Sequence, residues 1–300
     1  MGIRLGENRY GKAEVRLVHL DRSKPQHVIK DLNVTSQLIG DFTAAHSTGD
    51  NGRVIATDTQ KNTVYALAKT GGVGAIEEFA LRMARNFVDK YDWITGSRQE
   101  IEEYAWNSVY ADGQPVGHSF VRGSSEVRTT VVWKDGPAET VISGLTDLVL
   151  LNSAHSEFHG FPQVEYTSLI ETNDRILATA CTARWVYVGM DPDSADWDAL
   201  FTGIRALLLK TFATTHSLAL QQTLYAMGEA VLQVFPEVGE IRFSMPNKHH
   251  FLVDMKHFGL DNDNEVFYAA DRPYGLIQAA VVRDDAPVPP AVWSGIAGFI

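Results

Sequence analysis

Four short segments combine residue types suited to moving protons and holding a ligand. Gly11-Lys12 puts an amine on the polar face of an opening strand, and taken alone it reads as a solvated charge. Ala56-Thr57-Asp58-Thr59-Gln60-Lys61-Asn62-Thr63 places a hydroxyl and a carboxylate where a helix begins, and taken alone it reads as an N-cap. Phe158-His159-Gly160-Phe161 and Thr172-Asn173-Asp174-Arg175 bring an aromatic face and a planar guanidinium. Pro246-Asn247-Lys248-His249 breaks a strand at Pro246 and sets Asn247 and His249 on one face, two residues apart. A structural histidine is the default there.

Other motifs fall short of the chemistry they suggest. His155 and His159 stand four apart, as on one helical face, but Ser156 occupies the position where a zinc hydrolase needs glutamate. Asp261-Asn262-Asp263-Asn264 opens like a calcium loop, yet Val266 and Arg272 stand where Gly and Glu belong, so it reads as a solvated turn. Gly71-Gly72-Val73-Gly74 lacks the third glycine and the Lys-Ser/Thr pair of nucleotide loops and reads as a helix-to-helix turn. No G-x-S-x-G elbow occurs. Cys181 is the single cysteine, which excludes an internal disulfide and any cysteine-based zinc site, and it reads as a small core residue.

The elements that must position these segments follow from hydrophobic period. Ala13, Val15 and Leu17 alternate against Lys12, Glu14 and Arg16 over residues 10–20, and a second strand runs over 27–38. A helix begins after Thr57-Asp58. From Ile76, apolar residues at Phe79, Ala80, Met83, Ala84, Phe87 and Val88 have the period of an amphipathic helix. Residues 101–110 and 120–133 return to strand composition. Beyond the turn cluster Lys134-Asp135-Gly136-Pro137 the order restarts: strands over 141–151 and 176–188, then a helix capped by Asp193 or Ser194 with Trp197, Leu200, Phe201, Ile204, Leu207 and Leu208 on its apolar face. A second helix capped by Ser217 runs through Leu224, Met227 and Val231, and strands over 241–253 and 266–282 finish the copy. The fold class is therefore α+β, a tandem ββααββ duplication with units at 1–136 and 137–285 and a tail at 286–300. Each antiparallel sheet carries helices on one face, and its other face and edges need covering, so oligomerisation, with sheets closing into a barrel, is expected.

The chain has 300 residues, 26 Lys+Arg against 37 Asp+Glu and a net charge of -11. That balance, without a basic cluster, excludes a phosphate-tracking nucleic-acid surface and docking on an anionic membrane. The longest uncharged run, 211–228, contains His216, Gln221 and Gln222 and is no bilayer span, and the N-terminus lacks an apolar leader.

Together the segments resemble the urate oxidase (uricase) family of cofactor-free tunnelling-fold enzymes, from about Asn8 to Arg283. The residues that carry the resemblance are Tyr10-Gly11-Lys12, Ala56-Thr57-Asp58 with Lys61-Asn62-Thr63, Phe158-His159-Gly160-Phe161, Asp174-Arg175-Ile176-Leu177 and Pro246-Asn247-Lys248-His249. The resemblance implies oxidation of urate by dioxygen and water to 5-hydroxyisourate and hydrogen peroxide, with no metal, flavin or other cofactor. It implies a proton relay of Lys12, Thr57 and His249. Arg175, Gln221 and Phe158 would hold the purine by a guanidinium fork, an amide and ring stacking, with the backbone N–H of Leu220 beside them. The N–H groups of Thr57 and Asp58 would take the opposite ring edge, and Asn247 with the Thr57 hydroxyl would hold dioxygen or water.

By the same resemblance the site is shared between subunits of a homotetramer, Lys12, Thr57 and Asp58 facing the neighbour's Phe158, Arg175, Gln221, Asn247 and His249. The chain ends Ala297-Gly298-Phe299-Ile300 without a peroxisomal Ser-Lys-Leu type signal, so a bacterial cytoplasm is expected. Two other readings stay open: a metal-dependent pterin or purine hydrolase of the same architecture, and a purine-binding protein without catalysis.

Overall fold

In the computed structural model the described residues are 2–270, 272–296 and 299. Ala297, Gly298 and Ile300, on which the reading of the chain end rests, lie outside them. Contacts group the chain into two units, Met1–Gly144 with Val186–Ala199, and Leu145–Trp185 with Leu200–Ile300.

The first unit contains β1 (Tyr10–Asp21), β2 (Val28–Gly40), the short helix α1 (Thr43–Ser47), α2 (Thr57–Gly71), α3 (Ile76–Val88), β3 (Ile94–Ala111) and β4 (Gln114–Asp135). Strand β5 (Ala138–Asn152) begins there and ends in the second unit. The second unit holds most of β6 (Leu177–Tyr187) and of α4 (Trp197–Thr214), then α5 (Leu220–Val234), β7 (Val238–Asn247), β8 (His250–Leu252), β9 (Phe267–Ala269) and β10 (Gly275–Val282). Hydrogen-bonded order within the first unit is β1-β2-β3-β4-β5; within the second, β5 is followed by β6, β7 and β10, while β8 and β9 form a separate pair. Each repeat is thus two strands, two principal helices and two strands, with antiparallel pairing.

Helix α3 has the expected apolar face. Ile76, Phe79, Ala80, Met83, Ala84 and Phe87 are buried against β3 and β4, and each large side chain removed from water contributes about 1.5–3 kcal/mol. Glu77 enters this core with no exposed surface because Arg128 Nη2 meets it at 2.8 Å and Ser143 Oγ donates to it at 2.6 Å. In the second unit α5 lies so close to β10 that a Cβ on Gly228 would sit 2.5 Å from the Val281 side chain. Cys181 is buried in β6, as its small apolar character requires. Within the tail, Trp293 is buried and lies 4.4 Å from the Arg242 guanidinium.

Several local expectations are corrected. Strands β3 and β4 begin or end well beyond their β-rich cores, because ladder hydrogen bonds continue through polar stretches such as Arg98-Gln99-Glu100. The final two strands are each interrupted: Lys248 and His249 leave the ladder between β7 and β8, and β9 is separated from β10. The chain passes through Pro246 in ladder register with Leu276 and leaves it only after Asn247, so Pro246 is not the break. Asp196, not Asp193 or Ser194, caps α4, its Oδ1 accepting the Ala199 N–H at 3.0 Å. The Asp261–Asn264 segment is the turn expected, held by Asn262, whose Oδ1 accepts the N–H of Glu265 and Val266 at 3.1 Å. The Gly71–Gly74 segment is the helix-to-helix turn, with Gly72 and Gly74 at φ 70 and 63.

The correction with most bearing on chemistry concerns Lys12. Strand β1 pairs Lys12 with Ser36 but Val15 with Val34, so Ala13 and Glu14 together oppose Thr35 in a bulge, with Glu14 at φ 58. Directly opposed residues share a face, and Ser36 and Val34 are both fully buried. Lys12 therefore lies on the same face as buried Val15, beneath the helices, and not on the polar face.

Candidate functional site

In the first unit the Tyr10-Gly11-Lys12 strand end is locked to the start of α2. The Tyr10 hydroxyl donates to the Ile55 carbonyl at 3.1 Å, and the Tyr10 ring packs edge-on against Phe42. Gln60, fully buried, donates through Nε2 to the same Ile55 carbonyl at 3.4 Å and accepts the Ser36 hydroxyl at 3.4 Å. Gly11 has to be glycine: a Cβ there would stand 1.8 Å from the Ser36 carbonyl oxygen.

Helix α2 begins at Thr57 with Ala56 as N-cap and no side-chain cap. Its first-turn N–H groups, Thr57 and Asp58 among them, thus point out at the positive end of the helix dipole. The Asp58 carboxylate turns to Lys61 at 2.5 Å and Asn62 at 3.1 Å, and does not cap the helix start. Lys61 holds that carboxyl below its usual range, and the Lys12 charge pulls in the same direction, which places Lys12 within electrostatic reach of the α2 start.

In the second unit Phe158 and Thr172 form an antiparallel bridge, so the two halves of the long β5–β6 loop meet as the paired segments require. The Arg175 guanidinium lies 5.3 Å from the Phe158 ring centroid, and Phe161 stacks on Phe158 at 5.0 Å with 13° between the planes. Arg175 is half-buried, and burial draws its pKa downward while leaving it charged. His249 sits close enough to feel it. Burial first, then the Arg175 charge and His250, lower the His249 pKa and favour neutral imidazole. Asn247 ends β7 opposite Gly275.

Helix α5 repeats the arrangement at α2. Its N-cap is Ala219, again without a side-chain cap; Ser217 is not the cap, because its hydroxyl is engaged by Thr223 Oγ1 at 2.8 Å. Leu220 and Gln221 are its first two residues, Leu220 buried and Gln221 exposed, so the Leu220 N–H and the Gln221 amide stand at an open helix terminus. His155 and His159 lie on a loop, not a helix; His159 Nε2 meets the Glu157 carboxylate at 2.7 Å, and His216 bonds the same carboxylate. Among the described residues no cluster of three or more His, Cys, Asp and Glu is arranged to hold a metal, and no helix is long and apolar enough to cross a membrane.

Ser36 and Thr223, which buttress these segments, had no signal of their own in the sequence, since small or common polar residues reveal themselves only by what they touch.

The uricase family model matches residues 8–133 and 141–278, which together contain every candidate site residue in both units. This chain belongs to the uricase family. It is 54% identical over 295 residues to the uricase of Arthrobacter globiformis, covering 98% of this chain and 95% of that protein. The uricase of Aspergillus flavus is 35% identical over 288 residues, covering 92% of this chain and 95% of that one. The crystal structure of the Arthrobacter globiformis uricase superposes with a TM-score of 0.92 at 52% identity, covering 98% of this chain and 100% of that chain. A uricase structure from Bacillus fastidious gives a TM-score of 0.80 at 25% identity, over 93% and 94% of the two chains.

Proposed function

We infer that this chain is an oxidoreductase, a urate oxidase; the observation that carries this is the uricase match across both repeats, with high identity over nearly the whole chain. Urate, dioxygen and water become 5-hydroxyisourate and hydrogen peroxide. Two electrons leave the deprotonated purine for dioxygen, which departs as peroxide with two protons, and the oxygen of water is retained on the ring.

Lys12, Thr57 and His249 form the proton relay. An imidazole disfavoured as a cation is suited to accepting a proton near neutrality, and the Lys12 amine stands on the helix-covered face of its strand. Arg175 and Gln221 bind one edge of the purine with the Leu220 N–H beside them, and Phe158 stacks on the ring. The uncapped first turn of α2 offers the Thr57 and Asp58 N–H groups to the opposite edge, where the helix dipole favours an anion. Asn247 and the Thr57 hydroxyl hold dioxygen or water above the ring.

The repeats at 1–136 and 137–285 each supply one such helix terminus, and the tail at 286–300 supplies none. The site is assembled between subunits of a homotetramer whose sheets close into a barrel, in a bacterial cytoplasm, and it uses no metal, flavin or other cofactor. The test is to follow urate loss, oxygen uptake and peroxide release together, with and without excess EDTA. Matched stoichiometry insensitive to EDTA is expected; urate loss without oxygen uptake, or activity abolished by the chelator, would overturn the reading in favour of a hydrolase.

A further inference from the structure

Ser156 touches Arg175 twice. Its carbonyl accepts the Arg175 backbone N–H at 2.9 Å, and its hydroxyl oxygen accepts Nε–H of the guanidinium at 3.2 Å. Ser156 has no exposed surface, so this hydroxyl is a fixed acceptor shielded from water.

The serine is itself held from the other side. Ser156 and Ser217 form a parallel bridge, flanked by Ser217 N–H to the His155 carbonyl at 2.9 Å and Glu157 N–H to the Ser217 carbonyl at 2.8 Å. The Ser217 hydroxyl accepts that of Thr223, one turn into α5, at 2.8 Å, and both residues are fully buried. The loop segment carrying Phe158, the guanidinium of Arg175 and the start of α5 with Leu220 and Gln221 therefore share one anchor.

A guanidinium has two edges able to donate a parallel pair of hydrogen bonds, one from Nε with a terminal nitrogen and one from the two terminal nitrogens. A bond at Nε uses up the first edge and fixes the plane, leaving the Nη1/Nη2 edge for a ligand. We propose that Ser156 is a positioning residue that selects the Nη1/Nη2 edge of Arg175 and aligns it with the Gln221 amide to receive the planar, doubly accepting edge of the purine. This rests on the reading of Arg175 as a urate-binding residue.

The test is a double-mutant cycle with Ser156→Ala and Arg175→Lys in the full-length protein, reading KM and kcat for urate together with thermal unfolding. Ser156→Ala is expected to raise KM about tenfold with kcat changed less than about twofold, the loss of one hydrogen bond to a charged group. In the Arg175→Lys background, where no Nε remains to hold, the same substitution is expected to change KM by less than about twofold. An equal loss in both backgrounds makes Ser156 mere scaffold and overturns the proposal, as does an unchanged KM in the single variant. Should Ser156→Ala fail to fold, Ser156→Cys, similar in size and a weak acceptor, is read in its place. Failure of the parent reading looks different: wild-type protein then shows no urate-dependent oxygen uptake, and anaerobic urate binding to the same four proteins reads the cycle instead. Wild-type protein that does not bind urate refutes both.

Discussion

The Tyr10 hydroxyl and the Ile55 carbonyl, 3.1 Å apart, tie the residue two before Lys12 to the residue two before Thr57. The bond fixes the separation between a strand end and a helix start that the sequence places far apart. Tyr10→Phe removes the donor while keeping the ring against Phe42. The expected cost is about 1 kcal/mol in denaturant unfolding. A kcat lowered by about tenfold should accompany it through misalignment of Lys12 and Thr57. A stability loss with kcat unchanged shows that the tie does not serve the relay.

Gly11→Ala meets backbone, not a side chain that can move. With the added carbon 1.8 Å from the Ser36 carbonyl oxygen, strand β1 has to separate from β2 at the residue next to Lys12. Overpacking of this kind costs at least about 1–3 kcal/mol. The expected result is a lowered melting temperature together with loss of urate turnover; a variant as stable as wild type means the strands yield more readily than their pairing suggests.

Lys12→Met retains the stem and deletes the amine. Because purine contacts are assigned to other residues, urate affinity should hold while kcat falls by about 10²–10⁴, the range for losing a general base. Equilibrium binding under anaerobic conditions, beside steady-state kinetics, separates the two quantities, and wild-type kcat sinks the relay.

His249 should titrate below the ordinary imidazole value of about 6.5, because burial and the neighbouring positive groups Arg175 and His250 disfavour its cation. The sign follows directly. Between the depressed folded pKa and about 6.5 the unfolded chain binds more protons, so this residue makes stability rise with pH across that window and adds no slope above it. Imidazole NMR shifts measure the titration, and His250→Asn should move the midpoint upward. A His249 midpoint at or above 6.5 contradicts the geometry.

Glu77→Gln replaces the fully buried carboxylate that partners the Arg128 side chain, itself only 11% exposed. Breaking one side of such a pair costs about 3–5 kcal/mol, since the remaining charge stays desolvated. Urea unfolding midpoints read the loss; a change below about 1 kcal/mol means Arg128 is adequately served by its exposed partner Asp198 at 2.5 Å.

Much of this architecture was readable along the chain because its signals are local. The face of α3 follows from a 3.6-residue period over Phe79, Met83 and Phe87, and the repeated order of elements follows from composition and turns. Helix caps were read less well. Ser217 and Ser194 have the right chemistry for N-caps, but Ser217 is engaged by Thr223 and the cap positions fall to Ala219 and Asp196. A side chain that can cap can also bond elsewhere, and distant residues decide which it does.

The sequence by itself determined which groups were on hand, an amine, a hydroxyl, an imidazole, a guanidinium, an amide and an aromatic ring, and the order of elements carrying them. Only the tertiary structure decided where they face. Strict alternation sends Lys12 and Val15 to opposite sides of β1, whereas the extra residue opposite Thr35 brings both to the buried side. A bulge belongs to the pairing of two strands and not to either strand alone, because its unpaired residue is defined by the partner's register. Ser156 likewise reads as an ordinary polar residue until the fold sets its hydroxyl 3.2 Å from Arg175 Nε, a contact across a loop that no local period encodes.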